Sequence, residues 1–357
     1  MDSFASNDNV QSISINAGED VWSSAASSAP DHLVIMVNGI LGSEADWKFA
    51  AEQFVRTLPD KVFVHCSERN VYKLTLDGVD VMGERLAEEV EEVIRRKSDV
   101  RKISFIAHSV GGLVARYAIG KLYRLPQKRE TKDDSINGSG DDVSRGTICG
   151  LEAMNFITVA TPHLGSRGNK QVPFLLGLPF MEKTACYVIH WIFGRTGRHL
   201  FLTDNDDGKP PLLKRMMFDC GDLRFISALR AFRRRVAYAN VAYDHIVGWR
   251  TSSIRRNYEL PKWENSLSER YPHIVHEEKP TDGDPQPRPI MKKDDGSNTL
   301  EEELVTGLNS VSWERIDVSF HQSKQRYAAH SVIQVKNHFS HFEGADVILH
   351  MIDNFIT

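Results

Sequence analysis

Short unbroken apolar runs alternate along the chain with longer stretches in which apolar positions recur every three or four residues. Six runs have the form of strands buried on both faces, the kind that fills a parallel sheet. They are HLVIMV (32–37), KVFVHC (61–66), KISFIA (102–107), NFITVA (155–160), VAYANVAY (236–243) and WERIDVSF (313–320). Helical patterns fall between them. Over 79–97, Met82, Leu86, Val90 and Val93 share one face while Glu and Arg occupy the other. The acids of that segment come early and its Arg-Arg-Lys late, as the helix dipole favours. Strand and helix in repeated alternation predict an α/β fold, a doubly wound and mostly parallel sheet with right-handed crossovers.

Four segments interrupt the rhythm. Residues 1–30 contain acids but no Lys or Arg and no apolar core, so they are expected as a disordered tail and not as a secretory or transit signal. Residues 126–147 are polar and Gly/Ser-rich and read as a mobile loop, and 276–303 read as a second, charged loop. Residues 164–225 are different: they lie between two expected strands yet carry Phe174, Leu175, Leu176, Phe180, Val188, Trp191, Ile192 and Phe193. That composition predicts a helical insertion, read as a lid over an acyl chain in preference to extra core. Its longest charge-free stretches, 171–181 and 184–194, are 11 residues each. A bilayer span needs roughly 18. One domain is expected over 31–357.

Composition narrows the function. The 357 residues hold 48 acids and 44 bases, a formal charge of −4, which argues against a general nucleic-acid binder. Cys66, Cys149, Cys186 and Cys220 are widely spaced, with no CxxC pair, so neither a zinc site nor a disulfide framework is expected. A reducing, cytoplasmic setting fits, and no histidine or cysteine cluster has metal-ligand spacing, so no cofactor is expected.

The candidate chemistry lies in ISFIAHSVGGLVARYA (103–118). A strand-to-helix turn tight enough to expose a serine hydroxyl crowds the positions two before and two after it. Around Ser109 these are Ala107 and Gly111, the logic of the G-x-S-x-G nucleophile elbow, with His108 beside the serine. The competing reading is a structural tight turn. The following helix aims its N-terminus at the serine, so the Val110 N–H is one candidate donor to an oxyanion. A second is expected after the first strand, where Asn38-Gly39-Ile40-Leu41-Gly42 turns sharply and leaves the Ile40 N–H available.

A triad in this fold follows the order Ser, acid, His. Asp244 closes an apolar run and precedes a loop-like segment; Asp222 is its rival in a less strand-like context. For the base, His321, His330, His338, His341 and His350 all follow the last expected strand. His330 comes after a loop long enough to reach back over the serine. His338 stays open as the alternative, and His350 reads as a packing residue.

The segments VNGILGSEADW, FIAHSVGGLVARYA, ATPHLGS and DHIVGWRTSSIR together resemble the lipase-like putative serine esterases of the α/β-hydrolase superfamily, plant members in particular, from about residue 31 to the C-terminus. One departure is visible: the family generally has His-Gly where this chain has Asn38-Gly39. The resemblance implies an α/β-hydrolase fold with a helical lid insertion and a lipase or carboxylesterase acting on acyl lipids through an acyl-enzyme. It matches Asp244 to the family's acid and His330 to its histidine before an apolar run. It places His163 in a Pro-His-x-Gly turn with a hinge or site-wall role. Leu41, His163 and Leu164 are the expected substrate contacts. An acyl-lipid or small ester is the expected partner, with no nucleic acid. Contact with a membrane surface through the basic segment RFISALRAFRRR (224–235) competes with its reading as a solvated helix face. A non-catalytic relative binding a small apolar ligand, or an acyltransferase with the same triad, are the alternative functions, and the oligomeric state is left open.

Overall fold

Nine strands join in one sheet in the computed structural model, which describes residues 13–15, 20–23, 29–126, 145–166, 193–264, 266, 268–280 and 299–357. In chain order they are β1 (Ile13–Ile15), β2 (Asp20–Ser23), β3 (His32–Val37), β4 (Val62–Cys66), β5 (Lys102–His108), β6 (Glu152–Val159), β7 (Arg234–Asn240), β8 (Ile274–Glu278) and β9 (Glu314–Val318). Their order across the sheet is β1-β2-β4-β3-β5-β6-β7-β9-β8. The six strands from β4 to β9 in that order are mutually parallel, and β1, β2 and β8 run antiparallel to their neighbours at the two edges. Each of the six apolar runs read from the sequence is one of the parallel strands.

Helices cover both faces, which is why those runs are apolar at successive positions rather than at every second one. In β3, Leu33, Ile35 and Val37 pack beneath α2 (Val79–Arg96), α3 (Gly111–Leu122), α4 (Phe225–Ala231) and α5 (Thr299–Leu308). The intervening Val34 and Met36 pack beneath α1 (Lys48–Thr57) and α6 (Ala345–Asp353). A strand's side chains alternate between faces, so one six-residue run feeds two cores. The result is a doubly wound, mostly parallel α/β sheet. The registers Val37↔Ala107, Ala107↔Thr158, Tyr238↔Val159 and Asn240↔Val318 bring the carboxyl ends of five parallel strands level. Loops leaving that edge converge, as ligand sites in open α/β sheets require.

Several expectations need correction. Within the expected disordered tail, β1 and β2 extend the sheet, with Asp20 paired to His65 and Val21 to Val64. Short edge strands carry too few apolar residues to announce themselves in a polar segment. The charged loop expected over 276–303 is narrower. Residues 276–278 belong to β8 and 299–303 to α5, while 281–298 lie outside the described residues. Charged side chains on an edge strand and on an outer helix face hid both elements. Residues 127–144 of the expected mobile loop also lie outside the described residues.

Of the expected helical insertion, 167–192 lie outside the described residues, and with them the apolar set named above except Phe193. Residues 193–200 are helical, and Leu202, Leu212, Leu213, Met216, Met217 and Phe225 are buried in the core shared by α2–α5. In its described part, most of the insertion's apolar content is therefore core, with Phe218 exposed. The basic segment 224–235 is divided: Arg234 forks onto Glu314 at 2.8 and 2.6 Å and Arg235 donates to the Ser312 carbonyl at 2.7 Å, while Arg230 is exposed and Arg233 meets Glu152 at the surface. No helix among the described residues is long and apolar enough to cross a membrane.

His32 is the polar member of β3. Its Nε2 lies 2.7 Å from Ser104 Oγ, and its ring stacks on Phe355. Burial, with Lys102 nearby and Asp31 opposing, pushes its pKa from 6.5 to about 3. An unfolded chain takes up a proton near 6.5 that the folded chain refuses until about 3, so stability falls as pH drops through that window. Urea unfolding is expected to lose up to about 1.4 kcal/mol per pH unit from this group. The slope should flatten in His32→Gln; equal slopes in the two proteins would show that His32 is not held neutral.

Candidate active site

Strand β5 ends in Ala107-His108 and passes directly to Ser109, whose φ is +54°. A left-handed conformation at a non-glycine residue costs on the order of 1 kcal/mol and persists where its surroundings enforce it. Here the Ser109 N–H donates to the Val159 carbonyl at 2.9 Å, and its own carbonyl accepts from Gly112 N–H at 3.1 Å as α3 begins. A Cβ on Gly111 would come 2.4 Å from the Asn38 carbonyl oxygen and 2.8 Å from that of Val37. A Cβ on Gly39 would come 2.9 Å from Ser109 Cβ and 3.0 Å from His108 Nδ1. The loop after β3 and the elbow after β5 therefore interlock through glycines, with Ala107 sealed between Val37 and Thr158.

His330 lies in a one-turn helix, Ala329–Val332, beyond β9. Its Nε2 is 3.0 Å from Ser109 Oγ and its Nδ1 is 2.9 Å from Asp244 Oδ2. An ionised carboxylate can only accept, so Nδ1 carries the proton and Nε2 is left to accept from the serine hydroxyl. Asp244 follows β7. Its Oδ1 accepts the main-chain N–H groups of Ile246 (3.0 Å) and Val247 (2.8 Å), and its Oδ2 also accepts from Asn240 Nδ2 (2.9 Å). Burial pushes the Asp244 carboxyl upward, but His330 and these donors outweigh it and hold the group below its usual range.

On the other side of Ser109, the loop after β3 is shaped by side chains. Asn38 Nδ2 donates to the carbonyls of Asn70 (2.9 Å) and Gly39 (3.2 Å), and Thr75 Oγ1 accepts the Leu41 N–H at 2.8 Å. Gly42 N–H closes the turn on the Gly39 carbonyl at 3.1 Å, with Leu41 at φ +52°. The N–H groups of Ile40 and Val110 donate to no described residue. Asn38 thus meets the demand of its position as a donor to two carbonyls. Among the described residues, no group of three or more His, Cys, Asp or Glu side chains is placed to hold a metal ion.

The rival residues lie elsewhere. Asp222 is exposed in the turn between Asp219–Cys220 and Leu223–Arg224. His338 is exposed and stacks on Phe49, His321 Nδ1 lies 3.0 Å from Ser319 Oγ, and His341 Nδ1 accepts the Asn337 N–H at 3.2 Å. His350 is buried between Tyr238 Oη (2.8 Å) and Glu277 (3.3 Å). Of the expected substrate contacts, Leu41 is half-exposed beside the Gly39 loop. His163 and Leu164 are instead packed inside: His163 Nε2 lies 2.9 Å from Thr158 Oγ1 with its ring against Trp313, and Leu164 belongs to the core beneath α2–α5. A Pro-His-x-Gly turn under the sheet edge presents packing, not an open wall.

Sequence reasoning missed Asn240, Thr75 and Asn70, whose roles depend on loops meeting in space and leave no local signal. The Ile246 and Val247 contacts were findable, since an aspartate just past a strand commonly bonds main-chain N–H groups two and three residues on.

A family model described as Putative serine esterase (DUF676) matches residues 27–254, a span that includes Ser109 and Asp244 and stops short of His330. The putative lipase ROG1 of Saccharomyces cerevisiae is 30% identical over 228 residues, 62% of this chain and 28% of that protein. The putative lipase C4A8.10 of Schizosaccharomyces pombe is 28% identical over 250 residues, 66% of this chain and 28% of that protein. The chain thus spans under a third of the length of either relative. Among solved structures, the mature form of Bacillus licheniformis lipase BlEst2 overlays with a TM-score of 0.35 at 14% identity, over 60% of this chain and 66% of that one.

Proposed function

The chain belongs to the putative serine esterase (DUF676) family, and from that premise we propose that it hydrolyses carboxylic esters of acyl lipids with Ser109 as nucleophile, His330 as base and Asp244 as orienting acid. Ser109 Oγ attacks the ester carbonyl while its proton passes to His330 Nε2. Asp244, ionised and buried, stabilises the imidazolium through Nδ1–H. The carbonyl oxygen gains its charge facing the N–H groups of Ile40 and Val110, each worth on the order of 10²–10³ in rate. The intermediate collapses as His330 protonates the departing alcohol, leaving an acyl group on Ser109. Water then attacks, giving a proton to His330, and the acid leaves as Ser109 takes that proton back.

One observation carries this reading. Three polar side chains from three loops at one sheet edge form a continuous hydrogen-bonded chain, at 3.0 and 2.9 Å, ending on a serine held in a left-handed turn. Apolar side chains exposed on loops at this edge favour a greasy acyl group: Leu41 just after Gly39, Ile246 after Asp244 and Tyr327 before His330.

Turnover of p-nitrophenyl esters from acetate to palmitate tests it. We expect kcat/KM to rise with chain length; a preference for acetate would reassign the substrate to small esters, and no turnover of any ester would favour a ligand-binding protein. In the same assay Gly39→Ala should lose about 10²–10³ in kcat/KM while still folding, because the added methyl displaces either the elbow or the Ile40 donor. Wild-type turnover in that variant would show that the loop has slack.

A further inference from the structure

We propose that His108 is a positioning residue whose Nε2–H holds the His330 loop against the nucleophile elbow, an inference that rests on the base role assigned to His330 above. His108 Nε2 lies 2.7 Å from the main-chain oxygen of His330, and the two rings pack with centroids 4.6 Å apart. A carbonyl only accepts, so the His108 ring carries its proton on Nε2. The His330 carbonyl sits in a one-turn helix that supplies it with no main-chain donor. Nearby N–H groups go elsewhere, Ile333 to Ala329, Val335 to Val332 and Lys336 to Ser331. His108 fills that gap. The residue covalently joined to the nucleophile thus grips the residue whose ring receives the nucleophile's proton, 222 positions away.

The ring is suited to this in two further ways. It is buried at 4% exposure, so the bond is protected from exchange with water. Burial pushes its pKa well below the usual value, and neighbouring His330 acts in the same direction, outweighing the bond to the His330 carbonyl. A neutral ring adds no second cation beside the imidazolium formed during turnover. Without the bond, the base loop is free to shift relative to Ser109, and a displacement of about 1 Å at a reacting group can cost on the order of 10²-fold.

Three variants separate the clamp from simple packing. H108L fills the space and lacks the donor; H108Q carries an amide N–H where imidazole Nε2 lay; H108N carries one nearer the backbone, at the Nδ1 position. We expect H108L and H108N to lower kcat and fluorophosphonate labelling by about 10–100-fold with KM nearly unchanged, and H108Q to recover most of the loss. Wild-type kcat in H108L, or equal losses in all three variants, would overturn the clamp. A readout independent of catalysis is ¹⁵N NMR of the imidazoles, with the His108 signal assigned by its loss in H108Q. A ring with its proton on Nε2 is expected between about pH 5 and 8, the window in which an ordinary histidine titrates; an Nδ1–H tautomer in that window would refute the bond even in an active esterase. A wild-type chain inert toward both esters and probe would instead overturn the hydrolase reading, while the NMR result still decided whether the bond exists.

Discussion

Ser109→Ala is expected to lower kcat for ester hydrolysis on the order of 10⁶-fold while leaving the fold intact. The variant keeps the Cβ, and with it the packing against Gly39, and it keeps the main-chain bonds to Val159 and Gly112 that form the turn. Alanine and serine bear similar strain at a φ of +54°. What disappears is the oxygen 3.0 Å from His330 Nε2, and without it no acyl-enzyme can form. The N–H groups of Ile40 and Val110 would still bind developing charge, so a residue of catalysis over uncatalysed hydrolysis should survive. Thermal melting within a few degrees of wild type, together with lost turnover, would separate chemistry from folding. Unchanged turnover would remove the nucleophile assignment outright.

Asp244→Asn should cost about 10⁴-fold in kcat/KM, for a reason that can be read from the hydrogen bonds. Oδ1 accepts two main-chain N–H groups, so an asparagine must turn its carbonyl oxygen toward Ile246 and Val247. Its NH₂ then faces His330 Nδ1 and Asn240 Nδ2. A donor opposite Nδ1 forces the proton of His330 onto Nε2, where it points at Ser109 and blocks proton uptake. The expected signature is a protein that folds but neither turns over esters nor labels at the wild-type rate. Acid stability should change as well. The folded-state pKa of Asp244 is depressed, so its ionised form contributes stability above the usual carboxylate range that is lost as pH falls through the folded value. The variant lacks that component, and denaturant unfolding at stepwise lower pH should show a shallower decline. Near-wild-type turnover in Asp244→Asn would mean that His330 finds its tautomer without this carboxylate.

Much of this arrangement could be read from residue order, and the reasons are local. A parallel strand covered on both faces must be apolar throughout, so runs such as HLVIMV identify themselves. Ala107 and Gly111 flank Ser109 because a sharp turn admits nothing larger, and that constraint is written at adjacent positions. The candidates for acid and base could be ranked by strand ends, chain order and the family resemblance. What stayed hidden involves surfaces that meet only after folding. Strands β1 and β2 are short edge pieces in a polar segment, and β8 is charged because one side of an edge strand faces water. His163 and Leu164 follow β6 and looked like the wall of a cleft, yet the chain turns them into the core, where Thr158 and Trp313 receive the imidazole. The bond from His108 to the His330 carbonyl joins two histidines whose pairing no spacing rule encodes.

The most direct measurement is to treat the purified chain with a fluorophosphonate, digest it with trypsin and locate the phosphonyl group by mass spectrometry. One adduct per chain is expected, on Ser109 within the peptide 103–116, and replacing His330 by alanine should slow its formation sharply. A chain that stays unlabelled, or carries the group on another residue, would contradict the account.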